Sequence, residues 1–475
     1  MKPTLEQQIL SADEARKIIS AALEILARKG VKIENQTILA HLKKWGADVN
    51  VDDEVAFFPV KVVRDYLDSA KCDDIKKPIS EISFSGSASI YYGHYLDPRD
   101  DEYKPWNTER MLEFHKMSVS LDNIDGCSLL GMPAIDWPVA IQPLTEKLFG
   151  WKYGLYTGSA IWDKKFCEPI FQMLQVYGKE KSENPAKLFG GWVYIISPLF
   201  FSREEAAQYE WFYQRGFECS IGSLTSQGGS APCTHAGALA LHTAENIFMN
   251  IMRNAFWNHK DIRLGSNLST LDMRTGSFRY GRPEQNMSNM AGAAIARELG
   301  AVSYTGHAGY TDSFTPSSEA AMTKVTSTIL NATATGRGWI AAGLLGTDEV
   351  FSPIQMVFDD EWLSSMKYFE KGISITDELI GLDNILETPY GGSFIGSAHT
   401  SDHFRKALWE PKLWSRENFS AWKNGGTKND IELAREKCLS ILSDTNKPEP
   451  QISSKLENEL INIIKNIYPE FESVI

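Results

Sequence analysis

A chain of 475 residues, 43% hydrophobic and 11% aromatic, can bury a large core, and its formal net charge of -13 argues against a nucleic-acid surface, which wants clustered Lys and Arg. Six cysteines, at 72, 127, 167, 219, 233 and 438, form no C-x-x-C pair, so a zinc ribbon or thioredoxin motif is excluded and free thiols in a reducing compartment are expected. The N-terminus lacks an apolar h-region and no run approaches ~18 apolar residues, so the expectation is a cytoplasmic protein with no signal peptide and no membrane span.

Residues 1–118 read as a helical N-terminal region that packs on a central barrel. Ser11-Ala-Asp-Glu14 is a capping box, in which serine accepts from the third helical amide and glutamate reaches back. The helix behind it, 15–29, carries Ile18, Ile19, Ala22, Leu23 and Leu26 on one face and stops at Gly30. A second helix is expected near 36–44. Residues 81–94 look like strands with Gly turns, after which Tyr91, Tyr92, Tyr95 and Asp97 crowd together.

Over 119–400 the pattern becomes strand, loop, helix, repeated. Strands are expected near 124–131, 153–159, 191–197, 218–224, 261–267, 301–306, 339–344 and 383–397. Eight strands alternating with helices predict an α/β fold, a (β/α)8 TIM-type barrel, with parallel strands and right-handed crossovers. The competing open doubly wound sheet lacks a G-x-G-x-x-G loop. Ser202-Arg-Glu-Glu205 predicts a second capping box, for a helix ending before Gly216. Residues 401–475 form a helical extension. Its last helix, 453–468, presents Leu456, Leu460, Ile461 and Ile464 on one side, for packing on the barrel or for an oligomer contact.

Two Gly-rich loops stand out, 223–237 and 306–319. Each comes after a strand-like run, mixes His, Tyr, Asp and Thr with small residues, and feeds a helix. Glycine lets backbone approach a ligand closely, and polar groups at the C-terminal ends of strands are where α/β barrels keep their chemistry. An enzyme is therefore expected. His235, His242 and Glu245 invite a metal, but no H-E-x-x-H is present, and neither a metal nor an intrinsic cofactor is expected. A hydrolase would need a nucleophile elbow, which is missing.

The segment Gly228-Gly-Ser-Ala-Pro-Cys-Thr-His-Ala-Gly-Ala-Leu, running on to His242-Thr-Ala-Glu-Asn, resembles the Gly/Ala-Pro-x-Thr-x-Ala-Gly loop and helix of the trimethylamine methyltransferase superfamily. Thr311-Asp-Ser-Phe-Thr-Pro-Ser-Ser-Glu-Ala, Asp359-Asp-Glu361, Gly391-Gly-Ser-Phe, His399-Thr and Phe404-Arg-Lys-Ala-Leu-Trp-Glu-Pro are similar to its later signatures. Phe314 stands where many members have Lys, and Glu319 where they have Gln. The trimethylamine enzyme carries pyrrolysine in this part of the barrel, and this chain has ordinary residues there. The resemblance implies the branch that uses quaternary amines, glycine betaine foremost, and passes a methyl group to Co(I) of a corrinoid. That cobalamin-type acceptor would be free or carried by a partner corrinoid protein, and the product would be dimethylglycine. The alternatives are another betaine (carnitine, γ-butyrobetaine, proline betaine) or a betaine-binding barrel without chemistry.

A quaternary ammonium needs no proton delivered as its methyl leaves, and aromatic cages hold such cations by cation–π attraction. Cage candidates at loop ends are Tyr92, Tyr95, Tyr156, Trp192, Tyr310, Phe314 and Phe358. A betaine carboxylate could meet Arg274, Arg279, His307 or His399. Asp312 could orient a histidine or offset the ammonium charge. His307, Asp312 and His399 are the expected catalytic set. Tyr92, Tyr95, Tyr310, Phe314, Phe358 and Arg274 are the expected substrate contacts.

Overall fold

The computed structural model describes residues 9–70, 81–90, 93–129, 135–157, 163–306, 308–444 and 448–473. Tyr91, Tyr92, His307 and Cys72 lie outside the described residues.

The first helix, Ala12–Arg28, has the expected capping box: Ser11 Oγ accepts from the Glu14 amide, and the Glu14 carboxylate accepts from the Ser11 amide. The N-terminal region is not purely helical. Val31–Ile33, Asp48–Asn50 and Val55–Phe57 build a small sheet, completed in parallel by Phe200–Phe201.

Parallel strands then succeed one another in chain order, with helices between them. Arg337–Ala341 pairs with Ser83–Ile90, which pairs with Cys127–Leu129, and a parallel bridge carries this group on to Tyr156. Trp192–Ile195 pairs with Ser220–Ser223, and Arg263–Ser266 pairs with Val302–Thr305. Counting the bridged segment at Tyr156, that makes eight parallel stretches in an α/β architecture. Among the described residues, ladder hydrogen bonds join them into three groups and do not close a ring. Side chains take up edge groups that a neighbouring strand would otherwise satisfy. The Tyr194 amide donates to Glu205 (3.1 Å), the Gly265 amide to Asn246 Oδ1 (2.9 Å) and the Arg263 amide to Asn250 Oδ1 (2.9 Å).

Two expectations change. The eighth strand is not 383–397, where helix Leu382–Glu387 and turns stand, but Ser83–Ile90. The Ser202 capping box does not form. Ser202 makes no side-chain cap, because Glu205 is drawn away to the edge of the neighbouring strand.

One face of the strands packs on the helices: Phe84, Ala88, Cys127, Leu129, Val193, Ile195, Ile221, Leu264 and Ile340 join the main core. The last helix, Ser454–Lys465, buries Leu456, Leu460, Ile461 and Ile464 against Gln142–Tyr153 and Cys167–Lys181 of its own chain. Each such aliphatic side chain is worth about 1.5–3 kcal/mol of transfer free energy. The helix is thereby committed to its own body. No described helix is long and apolar enough to cross a membrane.

Candidate active site

The strand face turned away from the helices carries a different set of side chains. In Trp192–Ile195, Val193 and Ile195 are buried while Trp192 and Tyr194 remain 36% and 38% exposed, as period-2 alternation requires. In Val302–Thr305, Val302 and Tyr304 are likewise 47% and 44% exposed. Yet burial pushes the phenols of Tyr194 and Tyr304 above their usual range, and each is close enough to matter electrostatically: ionised Tyr304 would raise Tyr194 further. Solvent contact together with desolvation describes the wall of a cavity rather than a convex surface.

Each ring crosses a glycine on the paired strand. Tyr194 sits opposite Gly222 and Tyr304 opposite Gly265. A Cβ on Gly222 would lie 2.7 Å from the Tyr194 ring, and one on Gly265 would lie 2.9 Å from the Tyr304 ring. Trp192 stacks on Tyr194 at 25°. Across the fold, Ser83–Ile90 supplies serine on the same inner face. Ser87 accepts a hydrogen bond from Trp339 Nε1 (3.2 Å), and Ser89 bonds Ser128 (2.8 Å). Aromatic rings and small hydroxyls thus line the inner face.

At the C-terminal ends of the strands the wall opens into a cavity of about 360 Å³. Tyr194, Ile196, Leu224, Leu271 and Phe278 give it an apolar lining, with Ser197, Ser226 and Ser230 at its edges. The excursions after the strands gather there. Ser226–Gln227, Ser269–Leu271 and Phe278–Arg279 form one small sheet; Leu344–Leu345, Val350–Phe351, His94–Leu96 and Tyr103–Pro105 form another.

Three polar clusters hold these loops. Asp312, buried, accepts from the Tyr280 amide (2.7 Å), Arg282 Nε (2.6 Å) and the Thr347 hydroxyl (3.0 Å), tying three loops together. Arg279 lies 3.5 Å from Asp272 and 3.9 Å from Asp312, with its Nε buried and unbonded. Glu245 accepts from Ser197 Oγ (2.8 Å) and the Leu199 amide (3.0 Å). The Thr225 hydroxyl stands between Glu245 (2.7 Å) and His242 Nδ1 (2.9 Å), and His242 Nε2 reaches the Gly265 carbonyl at 2.7 Å. Burial holds the His242 imidazole below its usual range. Third, Lys324 and Asp359, both fully buried, pair at 2.7 Å. Lys324 also donates to the carbonyls of Ala341 and Leu344, while Asp359 accepts from the Gly343 amide and Gln355. Burial pushes Lys324 down and Asp359 up; the hydrogen bonds are what hold the pair in place.

The expected site residues fall into two groups, one at the mouth and one away from it. Tyr310, 3% exposed, packs between Tyr280 (5.3 Å) and Trp339 (5.7 Å), beside the inner face. Phe314 is 51% exposed in the same loop, its ring over Gly346 and its carbonyl accepting from Tyr103. Asp312 joins them through the mouth loops. Tyr156 is bridged to Ser128 and exposed. Arg274 is exposed in the turn that Asp272 caps. Tyr95 is buried with its hydroxyl on Glu113 (2.6 Å) and its ring on Trp106 and Phe351. Phe358 is buried in the core and stacks on Trp362. His399, on helix Ala398–Ala407, contacts Glu378, Gly381 and His403, all within its own segment. His235 bonds Ser288 rather than joining His242. No group of three or more metal-ligating side chains is assembled among the described residues.

Sequence reasoning missed Tyr194, Tyr304 and Asp348. The two tyrosines had a signal, an aromatic paired with a strand glycine. Asp348 had none: burial pushes its carboxyl up to about 7, and it sits in a left-handed turn at φ 72°.

From residue 2 to residue 466 the sequence matches the family described as trimethylamine methyltransferase (MTTB). The chain belongs to the trimethylamine methyltransferase family. It is 25% identical to trimethylamine methyltransferase MttB of Desulfitobacterium hafniense (strain DSM 10664 / DCB-2), over 97% of this chain and 94% of that one. It is 23% identical to the glycine betaine methyltransferase of Desulfitobacterium hafniense (strain Y51), over 94% and 95%. The solved monomethylamine methyltransferase of Methanosarcina barkeri covers 92% of this chain and 88% of its own, at 12% identity and a TM-score of 0.47. Membership of the trimethylamine methyltransferase family makes this protein an enzyme of the methyltransferase class, within a group that acts on methylamines and betaines.

Proposed function

We propose that the chain moves a methyl group from a quaternary amine, glycine betaine first, to a corrinoid Co(I) presented by a partner protein or as free cob(I)alamin. The observation that carries this is the inner aromatic wall: Trp192, Tyr194 and Tyr304 are partly exposed, the phenols of Tyr194 and Tyr304 are desolvated, and Tyr194 lines the cavity at the C-terminal ends of the strands. Stacked faces in a water-poor space attract an ammonium ion that cannot itself donate a hydrogen bond, by about 0.5–2 kcal/mol per ring. Serine hydroxyls on the opposite wall and Arg279 at the mouth suit the carboxylate. We read the eight parallel stretches as a closed (β/α)8 barrel whose mouth is the open, C-terminal end. The unpaired cysteines 127, 167, 219, 233 and 438 support a reducing, cytoplasmic setting.

The corrinoid supplies a Co(I) nucleophile. The methyl–nitrogen bond breaks as the methyl–cobalt bond forms, the electron pair stays on nitrogen, and dimethylglycine leaves as a neutral amine. No proton is transferred, so no general acid is needed. The chain's task is to orient the methyl towards the mouth and keep water away. Positive charge on nitrogen falls in the transition state, so the rings act chiefly in binding. The cavity of about 360 Å³ leaves room for a longer betaine such as carnitine, the second reading. The test is methylation of cob(I)alamin with trimethylamine, glycine betaine, carnitine, γ-butyrobetaine and proline betaine in parallel. A betaine should be the preferred donor; preference for trimethylamine would overturn the proposal.

A further inference from the structure

Three buried carboxyl groups anchor the mouth loops, and two of them have a cation of their own. Asp312 meets Arg282 at 2.6 Å, and Asp359 meets Lys324 at 2.7 Å. Glu245 differs. It is 0% exposed, and its carboxylate accepts from neutral groups: Ser197 Oγ (2.8 Å), the Thr225 hydroxyl (2.7 Å) and the Leu199 amide (3.0 Å). Among the described residues no lysine or arginine pairs with it. His242 stands behind the Thr225 hydroxyl, and burial holds its imidazole towards the neutral form. A fully buried carboxylate is unfavourable without an opposite charge, and neutral donors offset only part of that penalty.

The opposite charge has a place to sit. Ser197 and Ser226 line the mouth cavity, and Ser226 follows Thr225 directly in the chain. The Glu245 carboxylate therefore lies one hydroxyl group behind the cavity wall. Among the described residues none that lines the cavity is charged, and beside the wall Asp272 and Arg279 offset each other at 3.5 Å. The Ser197 proton is directed at Glu245, so this hydroxyl turns only lone pairs towards the cavity, which suits a cation. A methyl group resting on Ser197 would be about 6 Å from the carboxylate, one hydrogen bond plus one van der Waals contact away. In apolar surroundings, attraction between unit charges at that range is only weakly screened. We propose that Glu245, acting through Ser197, is the counter-charge of the substrate's ammonium group and makes the cavity select a cation over a neutral group of the same shape. This rests on the quaternary-amine reading above and adds the residue that enforces it. Glu245 is a positioning residue: it draws the ammonium end to the wall beside Tyr194. It acts in binding, because positive charge falls as the methyl leaves.

Glycine betaine and the tert-butylacetate anion share shape and carboxylate, and differ in nitrogen against carbon at the branched centre. Calorimetry on the full chain gives the Kd of each for wild type and for Glu245→Gln. Wild type should prefer the betaine. The Gln variant should cut that preference about tenfold or more, with the Kd of the carbon analogue changed by less than about threefold. A preference that survives in Glu245→Gln overturns the proposal and leaves the quaternary-amine reading standing. Equal weakening of both ligands overturns it too, since Glu245 would then only hold the loops. No preference in the wild type contradicts the quaternary-amine reading itself, and the proposal with it. Should the Gln variant not fold, Thr225→Val decides. It removes one donor and leaves the carboxylate less shielded, so the preference for the betaine should rise severalfold. An unchanged or lower preference in that variant overturns the proposal.

Discussion

Two regions of this molecule leave apolar side chains in solvent, for opposite reasons. On the inner strand face, Trp192 and Tyr194 alternate with Val193 and Ile195, which are buried in the core, and Tyr304 lies close enough to Tyr194 to act on it electrostatically. In segment 373–425 nothing alternates: almost every side chain is exposed, with no core behind it. The first pattern suits a small ligand; the second is a surface with no core behind it. Exposure alone does not tell them apart. The desolvated phenols of Tyr194 and Tyr304 do.

The comparison is broken most severely by removing what fixes the mouth. Lys324→Met leaves the Asp359 carboxylate buried without its ammonium, and unfolding free energy should fall by about 3–5 kcal/mol. Chemical denaturation measures this. The double variant Lys324→Met/Asp359→Leu should recover much of the loss, since no lone charge remains.

Gly265→Val fills the space the Tyr304 ring occupies. Overpacking of this kind costs about 1–3 kcal/mol and should push the ring off the strand towards the inner face. Steady-state kinetics should show KM for the amine raised about tenfold or more, the equivalent of roughly 1.4 kcal/mol. An unchanged KM would mean that the ring does not border the substrate.

Tyr304→Leu keeps bulk and removes one cation–π face, worth about 0.5–2 kcal/mol, so KM should rise by roughly 2- to 30-fold with kcat little changed. A fall in kcat alone would place the tyrosine in the transition state instead.

Asp348→Asn gives the smallest effect, about 1 kcal/mol, because the residue is only half-buried. With the folded pKa raised to about 7 from 3.8, the folded chain keeps a proton that the unfolded chain releases. The stability this group contributes is complete below about pH 4 and is lost as pH rises towards 7. Thermal melts should therefore show the Asn variant gaining on wild type by pH 8 and converging with it near pH 4. Asparagine also tolerates the left-handed backbone there.

Much of the strand order was legible, because strands such as Trp192–Ile195 and Arg263–Ser266 carry β-branched or apolar runs that break into glycine-rich loops. The strand Ser83–Ile90 was only half legible. Serine alternates with Phe84, Gly86 and Ala88, so the pattern is period-2 but its apolar side is mostly small, and it stands ahead of the strand–loop–helix region. The segment 383–397 misled for the reverse reason: Ile385, Leu386, Phe394 and Ile395 look like a core run, but no core covers them. For the site, the loop of Tyr310, Asp312 and Phe314 was visible from its composition. Tyr95 and Phe358 look no different in sequence from Tyr194, and only packing shows that they sit in the core. The Glu245–Thr225–His242 cluster ties the helix His235–Trp257 to the loop before it and on to Ser197, Leu199 and Gly265, and sequence separation hides such contacts.

The most direct measurement of the central claim is the Kd of glycine betaine, by calorimetry, for wild type and for Tyr194→Leu/Tyr304→Leu. Two lost ring faces at about 0.5–2 kcal/mol each should weaken binding by roughly fivefold to several hundredfold, with the melting temperature preserved. An unchanged Kd in a folded double variant would contradict the account, because the inner aromatic wall would then not be where the quaternary ammonium binds.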